Sequence, residues 1–145
     1  MSRALTWILL VIVALVSAGI AESLVAAVFD ALDGSPYRVA PSLTQTMASA
    51  FLSGLAFTLV PTLISKQPRR VALVIFAIGA SWRTVPTAYM LVAYPYLRQR
   101  ASGDVGAITG PIAAGLIGGA AALLMARSKV RRLNAAHSNA RQLPP

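Results

Sequence analysis

The chain has 145 residues, of which 57% are hydrophobic and 12% charged, with a mean hydropathy of +0.68. A soluble domain of this size carries about twice that charged fraction and cannot hide so much apolar side chain from water, so lipid is part of its solvent. Thirteen Lys and Arg face four Asp and Glu, and there is no Cys, which excludes disulfides, thiol catalysis and Cys-ligated metal or iron–sulfur sites.

A bilayer core takes roughly 20 consecutive apolar helical residues. Four stretches reach that length: about Leu5–Phe29, Leu43–Ile64, Val71–Tyr94 and Val105–Met125. The expected fold is an all-α integral membrane protein, with four transmembrane helices in an up-down bundle because the connections are short. Residues 1–126 form the membrane domain and residues 127–145 a basic tail whose polar composition argues against independent order.

In the first span, the basic start at Arg3 and the small residues before Glu22 resemble a secretory leader. The apolar run continues from Leu24 to Phe29, so a retained helix is expected. Between the first two spans, Gly34-Ser35-Pro36 marks a turn, and Ser42 with Gln45 forms a capping-box pattern opening the second helix. Lys66-Gln67-Pro68 is a tight link to the third span. Pro61 and Pro111 read as bends.

Charge sets the expected orientation. The side bearing both termini holds nine basic residues: Arg3, Lys66, Arg69, Arg70, Arg127, Lys129, Arg131, Arg132 and Arg141. The other side holds Arg38, Arg98 and Arg100, together with the loop acids Asp30, Asp33 and Asp104. Both termini are therefore expected in the cytoplasm, in a bacterial-type inner membrane. Trp7 on one side and Tyr37, Tyr94 and Tyr96 on the other fit interfacial belts. The three acids read as solvated loop carboxylates, with attraction of a cation as the alternative.

Two charges fall within spans, where insertion costs about 2.5–3.5 kcal/mol each. Glu22 lies in the outer third of the first span and Arg83 near the middle of the third. Their five-residue difference in depth is about 7.5 Å along the axis, a gap an arginine stem can bridge. Ala18, Gly19 and Ala26 share the face of Glu22, and Gly79, Ala80 and Thr87 that of Arg83. Pro86 frees the Trp82 carbonyl beside Arg83. A polar pocket between the first and third helices is expected, holding a structural ion pair, a partner contact, or a substrate or proton site.

The fourth span is eleven-twenty-firsts Gly and Ala between Val105 and Met125. Gly106, Gly110, Ala114, Gly115, Gly118 and Gly119 fall into overlapping small-xxx-small patterns that let helix backbones approach, within the bundle or with another subunit. After it, Arg127, Lys129, Arg131 and Arg132 suit anionic lipid of the cytoplasmic leaflet. No aromatic interleaving accompanies them, so nucleic acid is not an expected partner.

His137, the lone histidine, sits in the tail, which excludes an intramembrane bis-histidine haem. No phosphate loop, dinucleotide fingerprint, zinc-protease motif or nucleophile elbow is present, so no cofactor, metal or catalysis is expected. The leading expectation is a non-catalytic accessory subunit of a larger membrane complex, docking through the fourth helix. The alternative is a small homo-oligomeric transporter or channel working through Glu22 and Arg83.

Overall fold

The computed structural model describes residues 3–33, 41–94 and 105–140. Among them the chain is all helix: α1 (Arg3–Asp33), α2 (Leu43–Ile64), α3 (Pro68–Ala93) and α4 (Val105–Ala140). Each is long and apolar enough to cross a membrane, so this is a multi-pass membrane protein. The apolar side chains point outward: Ile8, Ile12, Leu15, Ile20 and Leu24 of α1 are all exposed, as lipid-facing residues are.

The interior is correspondingly small and polar. The buried set includes Ala14, Ala50, Ala72, Ala122 and Ala126, together with Ser53, Thr58 and Thr62. Close backbone approach and hydrogen bonds must hold such helices together, because lipid removes the hydrophobic drive between them. Helix α2 is the common partner, packing along α1, α3 and α4, and α3 also packs on α4. Toward the end bearing the N-terminus, Leu10 and Ala14 of α1 meet Val71 and Ile75 of α3, with Phe57 packed against them. One hydroxyl ties α1 to α2: Ser17 Oγ lies 3.2 Å from the Ala56 carbonyl oxygen and 2.9 Å from that of Ala14.

Helix boundaries follow their capping chemistry. Ser42 caps α2, its Oγ accepting from the Gln45 N–H at 3.1 Å. The reciprocal half of the expected capping box is absent, since Gln45 Oε1 has no hydrogen-bond partner among the described residues. Helix α3 starts at Pro68, three residues before the expected span. Proline suits the first helical position, where its missing N–H is no loss, and the Val71 N–H closes the first turn on the Gln67 carbonyl at 3.1 Å. At the end of α2 the Ser65 N–H returns to the Pro61 carbonyl at 3.1 Å. Helix α4 does not stop at Met125 but continues to Ala140. Residues 126–140 contain no Gly or Pro, and Ala, Arg, Lys and Leu sustain a helix once one has started.

A candidate site at the Glu22–Arg83 pair

The small-residue positions of α4 build one wall of the site. A Cβ on Gly118 would overlap the Phe51 carbonyl oxygen of α2, and a Cβ on Gly54 would overlap that of Gly115. Gly119 faces the ring of Phe76, 2.7 Å from where its Cβ would stand, and Gly115 faces the Arg83 guanidinium at 2.6 Å. Gly110 has ordinary contact with Met47, at 3.5 Å. Gly115, Gly118 and Gly119 thus pack against α2 and α3 of the same chain. Ala114 is half-buried, and the surroundings of Gly106 lie outside the described side chains.

That close seam fixes Ser53, which is fully buried on α2 and carries its Oγ to the Ala50 carbonyl at 3.2 Å. Arg83 of α3 reaches into the seam and donates a short hydrogen bond from Nη2 to Ser53 Oγ. The same nitrogen lies 3.9 Å from Glu22 Oε1 of α1, with the two side chains 26% and 53% exposed. Arg83 therefore has two partners of different kinds: a close buried hydroxyl, and a carboxylate at the outer edge of ion-pair distance. Around it, Thr84 and Thr87 return their hydroxyls to the Ala80 and Arg83 carbonyls at 2.8 and 3.0 Å, the usual satisfaction of hydroxyls in an apolar helix.

The structure brings Glu22 and Arg83 together, as the depth comparison anticipates, but the surrounding space divides differently from expectation. The polar pocket, of about 730 Å³, lies chiefly between α1 and α2, where Glu22, Asp30, Gln45 and Ser49 line it and Arg83 closes it. The space between α1 and α3 is instead an apolar groove of about 640 Å³, walled by Leu15, Gly19, Phe57, Phe76 and Trp82. Glu22 and Arg83 line both. Asp30 joins the site as a pocket residue, whereas the side chains of Asp33 and Asp104 lie outside the described residues.

Ser53 and Gln45 are the site residues that charge-based reading misses. Their signal is nevertheless present, because Gln45, Ser49 and Ser53 recur four residues apart and so share one face of α2. Of the basic cluster, Arg127 is exposed and lines a shallow pocket with Arg69 at the far end of the helices. The side chains of Lys129, Arg131 and Arg132 lie outside the described residues. Among the described residues no group of three His, Cys, Asp or Glu is placed to hold a metal ion.

No family model, characterised protein or solved structure matches the chain.

Proposed function

We propose that this protein is a small membrane carrier that binds a solute beside Glu22 and Arg83 and works as an assembly of several copies. One observation carries the reading: two opposite charges on different helices meet, 3.9 Å apart, at a pocket that extends to Asp30 and Pro41, on either side of the α1–α2 connection. Toward the other end Ala14, Ile75, Thr58, Pro61 and Ala122 are buried, and the groove between α1 and α3 continues from the charge pair past Leu15 to Val11. A charged site between helices, well inside the span, is where a carrier holds its solute. In the proposed arrangement the helices run up and down across a bacterial inner membrane with both termini cytoplasmic, so the pocket faces outward. The protein performs no covalent chemistry.

Accessory-subunit function is the second reading. In its favour, the groove between α1 and α3 is open to the side and bordered by small residues, with nothing within 4 Å of a Cβ placed on Gly19. A helix of a larger partner would fit against such a surface. Docking through α4 would have to use its outward face, since Gly115, Gly118 and Gly119 are covered within the chain.

Two measurements separate the readings. In proteoliposomes on a solid-supported membrane, pulses of methylammonium and of acetate test flux of a small cation and a small anion. The carrier reading expects currents with one of them that Glu22→Gln abolishes while the amount of inserted protein is unchanged. Absence of current with both, together with stoichiometric recovery alongside larger subunits in mild detergent, refutes it and establishes the accessory role.

A further inference from the structure

The polar pocket and the apolar groove meet at a shared pair of side chains, Glu22 and Arg83. The chemistry of the pocket is lopsided. Its described acceptors include the carboxylates of Glu22 and Asp30 and the amide oxygen of Gln45. Gln45 is only 7% exposed, and its Oε1 has given up water without gaining a hydrogen bond from any described residue. A buried acceptor left in that condition calls for a donor. Against the two carboxylates stands one cation among the described lining residues, Arg83, which also hydrogen-bonds Ser53. The described lining therefore carries one more negative charge than positive, and one buried acceptor without a donor.

The groove supplies the complementary half. It runs from the charge pair toward Val11 and Leu15, its walls are mostly apolar, and Trp82 stands at its side. Gly19 leaves open space in it. Its volume, about 640 Å³, falls within the range of small-molecule sites.

We propose that pocket and groove form one binding site for an amphiphile with a protonated primary amine as its head and a single apolar chain as its tail. The ammonium enters the pocket that Glu22, Asp30 and Gln45 line, with Glu22 at its junction with the groove. The chain lies between α1 and α3 alongside Trp82. The inference rests on the carrier reading for the claim that this amphiphile is the solute moved, while the binding site stands on the pocket and groove alone.

The test uses the full chain in phosphatidylcholine nanodiscs. The protein has two tryptophans, so a Trp7→Phe background leaves Trp82 as the reporter. Dodecylammonium, ethylammonium and dodecyl sulfate are titrated in turn, with empty nanodiscs correcting for partition into lipid. Dodecylammonium is expected to give a saturable change in Trp82 emission, with an affinity at least about tenfold above either of the others, the scale of one lost charge or apolar contact. Glu22→Gln is expected to weaken it about tenfold. A Cβ on Gly19 meets nothing within 4 Å, so Gly19→Leu is expected to keep the fold, checked by circular dichroism, yet to remove the advantage of the long chain. Equal or tighter binding of dodecyl sulfate overturns the proposal, as does indifference to both substitutions. Saturable binding without Glu22-dependent exit of dodecylammonium from vesicles overturns the carriage and leaves the site. Glu22-dependent methylammonium current without dodecylammonium binding overturns the site and leaves the carrier.

Discussion

Gly118→Ala is the most demanding test of the packing, because one methyl group is set against a helix backbone. The added Cβ would overlap the Phe51 carbonyl oxygen and stand 3.0 Å from the carbonyl carbon and 3.1 Å from the Leu55 nitrogen. All three are main-chain atoms, so no rotamer change relieves the clash and α2 and α4 must move apart. A separation of even 0.5–1 Å forfeits roughly a quarter to a half of each contact's attraction along the seam. Overpacking of this kind costs about 1–3 kcal/mol, and the upper half of that range is expected here. Gly19→Ala is the internal control, since its Cβ meets nothing within 4 Å and alanine is the better helix former by about 0.5–1 kcal/mol. Reversible unfolding in mixed micelles, titrated with dodecyl sulfate, should rank Gly118→Ala well below the parent and Gly19→Ala at or above it. Gly54→Ala breaks the same seam against Gly115, so the double change with Gly118→Ala should cost less than the two single costs combined. A Gly118→Ala protein as stable as the parent would refute close α2–α4 packing.

Ser53→Ala should destabilise by about 1–3 kcal/mol, because it takes from Arg83 its close buried acceptor. Glu22→Gln should cost less than about 1 kcal/mol in the same micelle assay, its carboxylate being half exposed and 3.9 Å away; the reverse order would make the ion pair the main anchor of Arg83. The chain lacks cysteine, so single cysteines report topology without background. In intact cells, an impermeant maleimide should label Ser42→Cys and spare Ser65→Cys, and the opposite pattern would invert the proposed orientation.

The four spans were legible because a helix in lipid must be apolar over its whole length, a demand that leaves a long and unambiguous signature. Depth made a meeting of Glu22 with Arg83 possible, since two helices running the same way can be compared residue by residue, and the two lie 3.9 Å apart. Rotation about each helix axis was not legible. Where almost every position is apolar, the stripe that marks an inward face is faint, as with Gln45, Ser49 and Ser53 on α2, and so the polar pocket was expected beside α3 when it lies beside α2. The same ambiguity hid Ser53, whose hydroxyl could satisfy itself on its own helix and gave no sign that an arginine would reach it. Gln45 misled for a different reason. Its spacing from Ser42 fits a reciprocal cap, but only the backbone half of that pattern formed, and the side chain was left buried in the pocket wall.

The division of labour around Arg83 explains how one pair can be both stable and available. At 3.9 Å and an effective dielectric near 20, the attraction between Glu22 and Arg83 is about 4 kcal/mol before desolvation. Desolvation of the two ions offsets much of that. Were the pair the sole reason for Arg83 to stay in the seam, a ligand that took over Glu22 would leave a partly buried cation unsatisfied. Ser53 removes that difficulty, because it holds Nη2 by a short bond in a position fixed by the backbone contact between Gly54 and Gly115. The carboxylate is then free to exchange partners. Its exposure toward both pocket and groove gives an incoming cation a place to bind without dismantling the bundle. Rigidity in the glycine seam and looseness at Glu22 are thus two sides of one arrangement, and loss of the seam should degrade the site even where no pocket residue is changed.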